Sequence, residues 1–119
     1  MMEKVFVNFT NHPSSDWGEK QTAEAEKYGK IHDIPFPQVD PMSTEQEIQQ
    51  LGEQCYKEIM KYNPIAVLCQ GEFTLAVYVI NRLRQKNIKV LAACTKRIAV
   101  MEGNKKQSVF VFEKFREYS

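Results

Sequence analysis

Four stretches of the chain group residues able to handle a phosphorylated ligand. Thr95, Lys96 and Arg97 set a hydroxyl beside two cations. Arginine offers a planar fork and lysine a mobile point charge, a pairing that suits a phosphodiester. Gln70, Gly71, Glu72 and Thr74 place a glycine and polar side chains between an apolar run and a helix start, where free backbone N–H groups can hold a phosphate or a ribose. Asn8 lies near the end of the first apolar run and Thr10 and His12 follow it, and histidine is the side-chain type suited to moving protons near neutrality. Arg116 and Tyr118, near the C-terminus, either reach the same edge or cover a dimer surface.

Each group also has a plain structural reading. Thr95 to Arg97 can be a solvated charged turn, and Gly71 can serve a tight turn alone. Glu72 would repel an anion that shared its position, and can instead complement a helix dipole. His12 can be a surface or capping group, and His32, inside a short strand, reads as structural. The glycine spacings of a Walker loop or a dinucleotide fingerprint are missing.

The elements must bring these stretches together. Val5 to Phe9 reads as a buried first strand, followed by the loop Asn11 to Ser15. Asp16 is placed to cap a helix from Trp17 to Tyr28, with Glu19 in the capping-box position and Gly29 as a left-handed stop. Ile31 to Ile34 makes a second strand before a proline-rich surface loop, Pro35 to Pro41. A second helix starts at Ser43 or Thr44, boxed by Gln46 or Glu47, carries Ile48, Leu51, Cys55, Ile59 and Tyr62 at helical spacing, and stops at Asn63-Pro64. Ile65 to Leu68 is a central strand, Phe73 to Lys86 a third helix ended by Asn87, and Lys89 to Ala93 the next strand. Ile98 to Met101 and Val109 to Phe115 flank the turn signal Glu102-Gly103-Asn104-Lys105.

This order predicts an α/β fold: a small Rossmann-like three-layer sandwich with a mostly parallel sheet, helices on both faces and a C-terminal antiparallel β-hairpin. In such sheets ligands bind beyond the carboxyl ends of the strands. The turns near residues 10, 72 and 96 are therefore expected at one rim.

A length of 119 residues fits one domain, 1–119, and 43% hydrophobic with 26% charged residues is ordinary globular composition. Met1 to Thr10 lacks the pattern of a secretory signal and no apolar run has the length of a membrane span, so the expected location is the cytoplasm, with no membrane partner. Cys55, Cys69 and Cys94 are odd in number and far apart, which favours buried reduced thiols over a disulfide framework or a zinc site; no metal and no cofactor is expected. Residues 1–81 carry six Lys/Arg against twelve Asp/Glu, and residues 82–119 ten against three. That asymmetry suggests a basic face for an anionic ligand. A sequence pI near 7.7 and the lack of a basic stripe interleaved with aromatics argue against a long nucleic acid.

Taken in order, Asn8 to His12, Gln70 to Thr74, Leu91 to Arg97 and Phe115 to Tyr118 resemble the small CRISPR-associated proteins with a CARF-like (CRISPR-associated Rossmann fold) domain, some of which are ring nucleases. The resemblance covers nearly the whole chain, in the same order and with similar spacing. It implies a homodimer that binds cyclic oligoadenylate across its two-fold axis. It further implies metal-independent cleavage, in which a ribose 2′-hydroxyl attacks the neighbouring phosphate and leaves a 2′,3′-cyclic phosphate. On that reading His12, Lys96 and Arg97 are the catalytic group, and Asn8, Thr10, Gln70, Gly71, Glu72, Thr74, Thr95 and Arg116 bind the ligand. The rival expectations are a sensor or sequestering protein that binds a cyclic oligonucleotide without turnover, and a dimeric scaffold with no nucleotide ligand. A nucleotide-sugar or deoxyribosyl-transfer enzyme is a further possibility by analogy of fold alone.

Overall fold

A computed structural model describes residues 3–119. The first strand, β1 (Val5–Phe9), contains four fully buried residues in succession, as a strand covered on both faces requires. It pairs in parallel with β2 (Lys30–Asp33) on one side and β3 (Ala66–Cys69) on the other. Then β3 pairs in parallel with the start of β4 (Lys89–Glu102), and β4 turns back antiparallel into β5 (Lys105–Glu117). The five strands lie in the order β2-β1-β3-β4-β5.

Alternation along β1 divides the core in two. Val7 and Phe9 point into a cluster with Ile48, Cys55 and Ile59 of α2 (Glu45–Met60) and Leu75, Val79 and Leu83 of α3 (Phe73–Gln85). Phe6 points the other way, to Ala25 of α1 (Glu19–Glu26), Leu68 and Leu91, ringed by Trp17, Tyr28 and Phe115. Helices thus cover both faces. The thiols of Cys55 and Cys69 are buried in the first cluster, and burial pushes the Cys69 thiol up to about 12.

Local signals set several boundaries. Thr44 and Glu47 close a complete capping box at the start of α2. Asn63 and Asn87, with φ of 45° and 60°, take the left-handed conformation just past α2 and α3. Gly103, φ 64°, makes the two-residue turn of the hairpin.

Three expectations need correction. Asp16 does not cap α1: it ends a 3-10 turn (Ser14–Asp16), and Trp17 is extended so that its ring reaches Phe6, which delays the helix to Glu19 with Gly18 as N-cap. Gly29 is not left-handed; a Cβ there would strike the Lys4 carbonyl, so glycine is needed for close approach of β1 and β2. Ile98 to Met101 is not a separate strand, because nothing between Cys94 and Arg97 breaks the ladder; β4 runs on for 14 residues with only a bulge at Cys94/Thr95.

Between α2 and α3 lies a polar lock. Arg82 donates from Nε and Nη2 to the two oxygens of Glu53 at 2.9 and 2.8 Å, Tyr78 adds its hydroxyl at 2.8 Å, and the Arg82 guanidinium lies 4.0 Å over the Tyr56 ring. The Arg82 and Tyr78 hydrogen bonds hold the Glu53 carboxyl down at about 2. A carboxyl depressed in the fold and normal when unfolded stabilises fully above its ordinary value of 4.5, and that contribution fades as pH falls towards about 2. Urea midpoints measured through this window should fall less steeply for Glu53→Gln than for the parent; equal slopes would remove the lock from the pH dependence. Separately, Gly29→Ala should cost about 1–3 kcal/mol in urea unfolding through the overpacked Lys4 contact.

Candidate functional site at the strand ends

The strand order reverses between β1 and β3, since the chain leaves β1 towards β2 on one side and reaches β3 on the other. In open parallel sheets that reversal opens a crevice outside the carboxyl ends, and here both flanking turns carry the polar residues singled out from the sequence.

The turn after β1 is built on Asn8. Its side chain is buried, and an amide in an apolar strand is costly unless every polar atom is paired. Nδ2 donates to the His12 carbonyl at 2.9 Å and to Asp33 Oδ1 at 3.0 Å, while Oδ1 accepts from the Thr10 hydroxyl at 2.8 Å. The His12 amide donates back to Thr10 Oγ1, and Asp33 also accepts from the Ser14 amide and hydroxyl. Asn8 is therefore spent on ordering the loop, which corrects its assignment as a ligand contact. Thr10 keeps a place at the crevice with its hydroxyl already engaged.

The turn after β3 behaves differently. Glu72 is the N-cap of α3: its carboxylate accepts from the Thr74 amide at 2.7 Å, the Leu75 amide at 3.2 Å and the Thr74 hydroxyl at 2.6 Å. The Thr74 hydroxyl and then its amide hold the Glu72 carboxyl below its usual range. The α3 N-terminus already carries its own anion, so Glu72 and Thr74 satisfy each other rather than a phosphate. Gly71 is held for packing: a Cβ would lie 2.6 Å from the Phe36 ring, which stacks on Phe9 at 4.9 Å. Gln70 latches the neighbouring strand, Oε1 accepting from the Ala93 amide at 2.9 Å.

By contrast, no side chain caps α1. Its first turn, Gly18 to Gln21, lines a cavity of about 780 Å³ together with Thr10, Asn11 and His12 after β1, Gln70 and Gly71 after β3, Thr95 of β4 and Phe110 to Phe112 of β5. Two of the three expected turns, near residues 10 and 70, meet there. The third does not exist as a turn, because residues 94–97 lie within β4 and only Thr95 and Ala93 face the cavity.

His12, Thr10, Gln70, Gly71 and Thr95 thus share one site. Lys96 does not: it falls on the opposite face of the strand from Thr95. Arg97 does not line the cavity either, its Nε donating to Ser108 along the hairpin at 3.0 Å. Arg116 pairs with Ala92, one residue out of phase with cavity-facing Ala93, and so projects from the far side of the sheet. Tyr118, on that far side, donates its hydroxyl to the Cys69 carbonyl at 2.8 Å and pins the end of β3.

Among the cavity residues missed from the sequence are Trp17, Lys20, Phe110 and Phe112. Trp17, the only tryptophan, and Lys20, in the first turn after a βα loop, carried a usable signal. Phe110 and Phe112 carried none, since the bulge decides which way they face.

Residues 4–116 match the Uncharacterized protein MJ1673 family. The chain belongs to this family. The match takes in the described strands and helices except Glu117 at the end of β5, and every residue that lines the cavity lies within it. No curated protein matches the chain.

Asn8→Ala strands the Thr10 hydroxyl and the His12 carbonyl and should cost about 1–3 kcal/mol in urea unfolding, with faster amide exchange at Ser14. Glu72→Ala should cost less, about 0.5–1 kcal/mol, with the faster exchange confined to Thr74 and Leu75.

Proposed function

We propose that the chain is a Rossmann-like nucleotide-binding protein whose cavity takes a cyclic oligoadenylate and cleaves it without a metal. The observation that carries the nucleotide reading is the uncapped first turn of α1 opening onto a cavity that also holds Trp17, Phe110, Phe112 and Lys20. A helix N-terminus with free N–H groups favours a phosphate, and Lys20 adds a cation. Aromatic faces stack bases irrespective of their identity, at about 1–3 kcal/mol per base. Asp16 and Glu19 at the same wall are acceptors for ribose hydroxyls. The narrower choice of cyclic oligoadenylate rests on the resemblance of Asn8 to His12, Gln70 to Thr74 and Leu91 to Arg97 to CARF-like proteins.

In the proposed reaction a ribose 2′-oxygen attacks the adjacent phosphorus and loses its proton, and the P–O5′ bond breaks. The products are a 2′,3′-cyclic phosphate and a 5′-hydroxyl that gains a proton. His12 is the proton carrier, and Lys20 with the α1 amides stabilises the charge on the phosphorane. Lys20 takes over the part expected of Lys96 and Arg97, which lie outside the cavity of their own chain.

Because Trp17 is the only tryptophan, its fluorescence reports the cavity directly. Titration with cyclic tetra- and hexa-adenylate in EDTA should quench it saturably, and chromatography should show linear products. Phe112→Ala should weaken binding about tenfold or more. His12→Ala should keep the quench and slow cleavage about 10²–10⁴-fold, whereas Lys96→Ala should leave both unchanged. Saturable quenching without products would assign the chain to sequestration; no quenching by either ring overturns the nucleotide reading.

A further inference from the structure

Lys96 and Arg116, which the cavity leaves out, lie on the other face of the sheet together with a third cation. The register places Cys94 beside Lys114 and Ala92 beside Arg116, with Lys96 one step further along β4, all on the face that carries Val90 and Tyr118. Lys114 and Arg116 are then about 6.8 Å apart along β5, and Lys96 is about 7–8 Å from Lys114. All three side chains are exposed, and none forms an ion pair among the described residues. The nearby acids do not offset them. Glu72 is spent on the α3 cap, Glu113 reaches Lys20, and Glu117 pairs opposite Leu91, which belongs to the α1 face.

Beside this patch α3 presents an apolar flank. Tyr78 and Arg82 turn towards α2 to bind Glu53, so Phe73, Val77 and Arg84, which recur at helical spacing, lie on the opposite flank. Arg84 lines a small depression with Lys89 of β4 and Glu117 of β5, which sets that flank on the hairpin side. Phe73 is 85% and Val77 55% exposed. On this face α2 and α3 cover Val7, Phe9, Val67, Cys69 and Val90, and no residue of β5 joins that core. Between α3 and the root of the hairpin the sheet is therefore open, floored by half-buried Ala92 and Cys94.

We propose that this slot takes an acidic amphipathic helix from a partner protein. Neighbouring helices pack about 8–10 Å apart and neighbouring strands about 4.8 Å, so a helix beside α3 lies over β5. There its apolar stripe meets Phe73, Val77 and Ala92, and carboxylates along its outer edge meet Arg116, Lys114 and Lys96. Residues i and i+4 of a helix rise about 6 Å, close to the spacing of Lys114 and Arg116. The charge of the patch selects an acidic partner. An extended peptide would pair instead along the free edge of β5 and leave Phe73 and Val77 uncovered. A nucleic-acid strand needs several stacking faces, and Phe73 is the one aromatic ring exposed on this flank among the described residues.

A helix of about four turns covers about 20 by 10 Å, so the association is weak and transient, as interfaces under about 1,200 Å² are. The slot and the cavity lie on opposite faces of the sheet, so the proposal stands whether or not the cavity takes a nucleotide.

Fluorescence anisotropy of the full chain with two labelled helical peptides of about 14 residues tests this, both with a leucine stripe, one flanked by glutamates and the other by lysines. The glutamate peptide should bind saturably, more weakly as salt rises, and about tenfold or more tighter than the lysine peptide. Phe73→Ser should weaken it about tenfold with an unchanged melting temperature, since the ring is exposed. Lys114→Glu combined with Arg116→Glu should reverse the preference in favour of the lysine peptide. A parent without preference, a Phe73→Ser variant that binds as the parent does, or a charge reversal that leaves the preference as it was would each overturn the proposal. Equal binding of a glutamate peptide broken by a central proline would overturn the helical occupant. Single-stranded RNA that displaces the glutamate peptide and loses its hold on the charge-reversed variant would overturn the proposal too, and would assign the patch to nucleic acid.

Discussion

Asn8 is the polar residue on which the site is assembled. It sits among Phe6, Val7 and Phe9 in a strand buried on both sides, where an unpaired amide would cost several times the net worth of a hydrogen bond. The protein meets that cost by bending the following loop back until the His12 carbonyl, the Thr10 hydroxyl and Asp33 of β2 reach the amide. The loop so anchored leads into the Ser14–Asp16 turn, extended Trp17 and the start of α1. The position of His12, the aromatic wall at Trp17 and the open helix end all follow from satisfying one buried side chain.

Two helices begin at this rim and treat their N-termini in opposite ways. At α3 the Glu72 carboxylate takes the free amides internally, which completes the helix and removes it as an anion site. At α1 no side chain does so. The helix end at this rim without a side-chain cap is therefore that of α1, where Lys20 also lies. Gly71, beside Glu72, leaves room for the Phe36 ring, so the β3–α3 turn is committed to packing on one side and to capping on the other.

The β4–β5 hairpin joins these two themes. At its root the bulge leaves Glu113 without a partner and turns Phe112 to the side of Thr95 and α1, where Lys20 meets Glu113 at 3.6 Å and the strands wall the cavity. Further out the same strands leave the body and expose an aliphatic face. One continuous ladder thus walls the cavity at its root and leaves aliphatic side chains exposed further out.

Much of the architecture was legible along the chain because its causes are local. The run Val5 to Phe9, the capping box of Thr44 and Glu47, the stops at Asn63 and Asn87 and the Gly103 turn depend on residues a few positions apart, and the expected elements occur there. The gathering of His12, Gln70 and Thr95 at one rim followed from the alternation of strands and helices. Other features depend on which strands become neighbours, and no local pattern contains that. Nothing near Trp17 announces that Phe6 will draw its ring out of helical geometry. The facing of Lys96 and Arg116 away from the cavity is set by the β4–β5 register, Arg97 shares the face of Thr95 but lies further along the ribbon against Ser108, and Phe110 and Phe112 are turned to the cavity side by one bulge. A strand's side chains alternate regardless of sequence, so their chemistry is written in the residues while their direction comes from the pairing.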